Sequence, residues 1–216
     1  MKDDDRVAAR PRGRPKAEDS AAPLEKVLAA AATEFSVTGY HGLSMRTLNR
    51  KLGVSHNHLY QRFGSKDALW RATVDWAFSP LVQAIEAADR PDAAPEVRVR
   101  TFIRAFLEHS ASRPYLARIV TMESATASER LDYLYDQFID PIRSRFVPIL
   151  QGMRRSSKSN ADVMEVVYYL ITAGGTAPFE QVPMSARMGV HFDPADVEAV
   201  RVRADLVCDI ILNGIV

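Results

Sequence analysis

The sequence predicts an all-α protein, and three observations carry that expectation. Apolar residues recur at helical spacing in one segment after another. Serines, prolines and glycines stand where helices would start and stop. No alternation of apolar and polar residues runs longer than a few positions, and no segment repeats.

Residues 1–19, with "ARPRGRPK", lack apolar periodicity and read as a disordered basic arm. A helix starts near Pro23, with Leu24, Val27, Leu28, Ala31 and Phe35 on one stripe and Gly39 at its expected C-terminal cap. Ser44 is placed to cap a short helix through Arg50 or Lys51. Gly53 supplies a turn, Ser55 is placed to cap the next short helix, and Ser65 opens a longer one at "SKDALW". Two short helices across a tight glycine-containing turn are a helix-turn-helix. Leu48, Leu52, Val54, Leu59 and Phe63 form its expected core against Leu28 and Phe35. Arg46, His56, Asn57, His58, Gln61 and Arg62 are left outside.

Pro80 removes one backbone hydrogen bond from the helix begun at Ser65 and is expected to bend or break it. The domain junction is placed there, giving a helix-turn-helix domain over 20–78 and a second helical domain over 79–216. In the second domain, helices are expected from Pro95 to Ala111, from near Pro114, and from Ser128 to Met153 with bends at Pro141 and Pro148. Leu131, Leu134, Phe138, Ile142 and Ile149 share one side of the last of these. "SSKSN" reads as a loop before a helix at 161–177, apolar around most of its circumference and so expected to be buried. "QVPMSARMGVHFDP" reads as a long loop, and a final helix spans about 194–214.

The net charge of +1 hides an asymmetry. From Arg6 to Lys66, 11 basic residues stand against 4 acidic ones, whereas residues 73–216 carry 15 basic and 19 acidic ones. That distribution points to a polyanion partner for the first third only. A single cysteine, Cys208, the charged first twenty residues and the lack of any run of about 18 apolar residues lead to the expectation of a cytoplasmic protein without a membrane span.

Metal and enzyme chemistry find little support. His56 and His58 lie about 200° apart around a helix axis and cannot grip one ion together. His41, His109 and His191 are scattered singly. There is no GxSxG, P-loop or dinucleotide fingerprint. No enzyme activity, metal or cofactor is therefore expected.

"VLAAAATEFSVTGYHGLSMRTLNRKLGVSHNHLYQRFGSKDALW", Val27 to Trp70, resembles the N-terminal domain of the TetR family of bacterial transcriptional regulators. The resemblance lies in an alanine-rich helix ending in "F…GY", then "GVS", "LYxxF" and "SK[DE]xL", in that order. This chain departs from the family's usual Ile-Ala pair at Leu48-Asn49, from a small residue at Leu52, and from glycine or another small residue at Asn57. The resemblance implies a DNA-binding regulator, most often a repressor, that binds a palindromic operator as a homodimer and responds to a small, mostly apolar effector. It implies that His56, Asn57, His58 and Arg46 reach base edges, and that Tyr60, Arg62 and Lys66 hold phosphates, with Ser44 and Thr47 contributing donors. The bland alternatives are a core role for Tyr60, a solvated charge for Lys66 and idle surface positions for the histidines. Arg12 and Arg14 in "RPRGRPK" resemble an AT-hook core for a narrow minor groove; the alternative is a solubilising tail. The last two helices match the family's dimer-forming pair, with "TAGGTA" allowing close helix crossing. Phe102, Phe106, Met122, Tyr133, Phe138, Met164 and Tyr168 are candidate walls of an effector pocket, and each is individually more readily core than wall. Phe179 belongs to the same apolar set. Glu123, His109, Arg118 and Tyr168 are candidate polar anchors. Rival readings are a helical ligand-carrier or interaction protein, and an activator or nucleoid-type DNA binder without a ligand.

Overall fold

The computed structural model describes residues 22–153 and 160–215, and among them every regular element is helical. Helix α1 (Leu24–Gly42) starts after Pro23, as its fixed φ favours, and buries Val27, Leu28, Ala31, Ala32 and Phe35. Leu24 at the head of that stripe is exposed instead. The helix is interrupted at Gly39, whose φ of 67° no other residue adopts cheaply.

Helices α2 (Met45–Leu52) and α3 (His58–Phe63) form the helix-turn-helix. Ser44 Oγ accepts from Thr47 N–H at 3.4 Å, and Gly53 takes the left-handed conformation that reverses the chain. The second short helix starts at His58, two residues later than a cap at Ser55 would give. Leu48 and Leu59 are fully buried, and Leu52, Val54 and Phe63 pack against the same core.

Helix α4 (Lys66–Ala88) is capped by Ser65, whose Oγ accepts from Ala68 N–H at 3.0 Å. It stays a single helix across Pro80, so the expected break is absent. The seam between cores does not fall at Pro80 either. The first core joins α1–α4 to Leu116, Ile119, Leu134 and Phe138, all from beyond it. Those residues belong to α6 (Tyr115–Ser124), to α7 (Glu129–Leu134) and to a π-helical stretch, Tyr135–Ile139. The stretch leads directly into α8 (Asp140–Met153). Pro141 has no N–H to give, and the widened turn just before it accommodates that loss.

The second core is built on α5 (Pro95–Ser112), α8, α9 (Asn160–Tyr169) and α12 (Val197–Ile215). Helices α5 and α12 run antiparallel, laced by Arg100–Asp209, Arg104–Asp205 and Arg201–Glu108. A second π-helical stretch, Leu170–Gly174, follows α9. Short helices α10 (Ala177–Glu180) and α11 (Val182–Arg187) come next, so the expected loop over 181–194 carries a helix. The "SSKSN" loop lies almost wholly outside the described residues. The α9 segment is not buried all round: Val166, Tyr169 and Leu170 are exposed, as are Val202, Leu206 and Ile210 on α12. Hydrophobic periodicity cannot tell a core face from one left open to a partner. No helix among the described residues is long and apolar enough to cross a membrane.

Candidate nucleic-acid interface and ligand cavity

The basic face is displayed by the turn before α3 and by the first residues of α2. His56 and Asn57 lie in that turn and are exposed, as are Ser44, Arg46 and Tyr60, while Thr47 is half-buried. Tyr60 is therefore not a core residue; Leu59 and Phe63 fill the core beside it. His58 is half-buried, and its Nε2 is buried with no hydrogen-bond partner among the described residues. Arg12 and Arg14 lie outside the described residues.

One side chain sets the shape of the turn. Asn49 is 1% exposed. Its Nδ2 donates to the His56 carbonyl at 2.7 Å, and its Oδ1 accepts from Leu59 N–H at 3.2 Å. Its own carbonyl accepts from Val54 N–H at 3.1 Å. The sequence marked Asn49 only as a departure from the family, because nothing local reveals a partner ten residues away.

Two of the cations assigned to phosphates have contacts within the protein. Arg62 Nη1 donates to the Ala22 carbonyl at 2.8 Å, fastening the start of α1 beside α3. Lys66 Nζ stands 3.4 Å from the His41 carbonyl and 4.6 Å above the Tyr40 ring. Partial burial, then the Arg130 charge, lowers the Lys66 pKa. Arg130 stacks on Tyr40 at 3.9 Å and donates Nε to buried Glu123 at 3.0 Å.

Behind this junction lies a cavity of about 440 Å³ between α4, α5, α6, α8 and α9, within the range of small-molecule sites. Phe102, Phe106, Phe138, Met164 and Tyr168 line it. Phe78, Phe146 and Leu150 line it too and were not singled out by sequence; their only signal was helical register. Met122 and Tyr133 do not line it. Met122 sits on another face of α6, its sulfur close to Gly39. Tyr133 faces α4, where its hydroxyl donates to Asp75 Oδ1 at 2.6 Å and its ring carries the Arg71 guanidinium. Burial, then that bond, pushes the Tyr133 pKa up to about 12. Phe179 packs in the second core against Phe192.

Of the four candidate anchors, only Tyr168 faces the cavity, and burial raises its pKa. Glu123 is taken by Arg130, and Arg118 donates to the Glu180 carbonyl at 2.7 Å. The other polar lining groups are hydroxyls, Ser110, Thr121, Ser124, Tyr169 and Thr172, and Arg143, which is paired with Asp140 at 3.0 Å.

His109 is half-buried, with Nε2 buried and unpartnered among the described residues. Burial, then Arg113, pushes its pKa from 6.5 down to about 4. The unfolded chain therefore binds a proton in that interval that the folded chain does not. The resulting stability is complete above about pH 6.5 and is lost as pH falls toward 4. The drop in Tm across this window is expected to be smaller in His109→Gln than in the wild type. Parallel Tm profiles for the two proteins would refute it.

Residues 27–73 match the family of bacterial regulatory proteins known as the tetR family. Over 140 residues the chain is 27% identical to the nucleoid occlusion factor SlmA of Haemophilus influenzae, a match covering 63% of this chain and 64% of SlmA. Over 106 residues it is 34% identical to the HTH-type transcriptional regulator RutR of Escherichia coli, covering 47% of this chain and 48% of RutR. The chain thus spans less than two thirds of either relative. A tetR-family regulatory protein from Rhodococcus RHA1 has a similar fold, with a TM-score of 0.69 at 21% identity, over 88% of this chain and 95% of that one.

Proposed function

The chain belongs, through its N-terminal domain, to the TetR family of bacterial regulatory proteins, and from that premise we propose that it is an effector-responsive cytoplasmic repressor. In this reading it binds a palindromic operator as a homodimer and is released by a small, mostly apolar molecule. The observation that carries the reading is the pairing of an exposed basic helix-turn-helix with an apolar cavity whose wall includes α6. Helix α6 also packs on α1, which shares a core with the helix-turn-helix.

Arg46, His56 and Asn57 read base edges, while Tyr60, Arg62 and Lys66 hold the backbone. The last two can do so only by releasing or sharing their present contacts. The exposed apolar rows on α9 and α12 form the dimer face, placing two reading heads about one helical turn, ~34 Å, apart or a multiple of it. The effector occupies the cavity and favours a dimer whose heads are wrongly spaced, a population shift that requires tighter binding to that state. The one charged lining residue, Arg143, already has a carboxylate partner, so an uncharged ligand with hydrogen-bonding groups suits the cavity better than an acid.

The test is fluorescence anisotropy against duplexes selected in vitro from a random pool. Selected duplexes are expected to be palindromic, and Arg46→Ala to weaken the best one about tenfold and relax one base position. Failure of the wild type to prefer any duplex over random DNA would end the reading. Removing residues 1–18 is expected to weaken binding and flatten its salt dependence if the arm enters a minor groove. An unchanged slope assigns the arm to solubility.

The SlmA match, which extends beyond the helix-turn-helix, favours a second reading: a nucleoid-type DNA binder without a ligand. Thermal shift against an apolar compound library separates the two, since only a ligand-binding protein gains Tm as ligand concentration rises above Kd.

A further inference from the structure

Helix α3 is short, and its own sequence does not cap it. Asn57 precedes it in near-helical geometry with no side-chain hydrogen bond, and Ser55 gives none. The N–H groups of a helix's first turn need acceptors from elsewhere. The acceptor for Leu59 N–H comes from the preceding helix, as the Asn49 Oδ1. The same amide donates to the His56 carbonyl, immediately before the residues of the reading face. The orientation of this amide is unambiguous, because a carbonyl can only accept and an N–H can only donate. One buried side chain thus holds both ends of the segment His56–Leu59.

We propose that Asn49 is a positioning residue for sequence readout: it fixes the register of His56 and Asn57 against the bases without touching DNA. The inference rests on the DNA-binding reading above. Phosphate contacts tolerate small shifts because they carry no sequence information, whereas base contacts do not. Loosening the turn therefore removes discrimination before it removes affinity. Alanine is the usual family residue here, but the alanine would not reach either backbone group. In this chain it would leave a buried carbonyl and a buried N–H unpaired.

The experiment compares wild type and Asn49→Ala on three targets: the best duplex from in vitro selection, single-base variants of it, and random-sequence DNA. Circular dichroism at the assay temperature establishes that the variant is folded; if Asn49→Ala is not, Asn49→Ser takes its place. The expected result is a loss of about tenfold in the ratio between the best duplex and its variants, with affinity for random DNA and the salt slope unchanged. Discrimination equal to wild type, or an equal loss on all three targets, overturns the proposal. Failure of wild type itself to discriminate overturns the DNA-binding reading instead, so the two failures are distinguishable.

Discussion

Gly175→Ala is expected to destabilise the protein by about 1–3 kcal/mol or more, a fall of several degrees in Tm for a chain of this length. A Cβ at this position would overlap the Ile171 carbonyl oxygen and lie 2.9 Å from Leu107 Cδ2. The cause is local. The π-helical stretch Leu170–Gly174 shifts the hydrogen bonding by one residue, so that Gly175 N–H donates to the Leu170 carbonyl at 2.8 Å. The Ile171 carbonyl is then pressed against the Gly175 Cα, while α5 closes from the other side through Leu107. The Leu107 methyl ends a side chain, but that side chain is fully buried, and the Ile171 oxygen is backbone, so relaxation must move the main chain. Gly174 is the internal control. It is exposed, and a Cβ there would meet nothing nearer than the Tyr169 carbonyl at 3.9 Å. Gly174→Ala is expected to be neutral or slightly stabilising, since alanine restricts the unfolded chain more than glycine does. Equal Tm values for the two variants in thermal unfolding would show that the close approach at Gly175 is not limiting.

That contrast shows where sequence reading reaches its limit. "TAGGTA" announces a close approach, but either glycine satisfies it; only the π-helical register decides between them. Features decided by neighbours in the chain were legible. Ser44, Ser65 and Pro95 begin helices where their chemistry requires, and Gly53 turns the chain as expected. Features decided by distant partners were not. The start of α3 was misplaced because its cap comes from Asn49 rather than from Ser55. The face of α9 was read as core because an apolar row looks the same whether the helix beside it belongs to this chain or to another. Met122 and Tyr133 were placed in the cavity with Phe138 on composition alone. Their positions along the helices put them instead at the junction with α1 and α4.

Glu123→Ala is expected to be the second most damaging single change outside the fully apolar core. Glu123 is 6% exposed and Arg130 18%, and their bond is 3.0 Å. Removing one member of such a pair leaves the other desolvated and unpaired, which costs about 3 kcal/mol when, as here, one partner retains some contact with water. The other anchor of Arg130 is the Tyr40 ring, already faced by Lys66 from α4. Once Glu123 is gone, two cations share one ring with no carboxylate between them. The double variant Glu123→Ala/Arg130→Ala removes the unpaired charge along with its partner, and it is expected to recover part of the lost stability. Strict additivity of the two single changes would mean that the pair is not coupled. The consequence extends beyond stability. Tyr40 ends α1, Arg130 begins α7, and Glu123 closes α6, whose earlier turns carry Leu116, Ala117, Val120 and Thr121 into the cavity wall. In the proposed reading, a molecule that spreads the cavity would push on the helix that holds this junction. Breaking the pair is therefore expected to weaken the link between cavity and reading head. In the double variant, a cavity ligand found by thermal shift should still bind but change DNA affinity less than in the wild type.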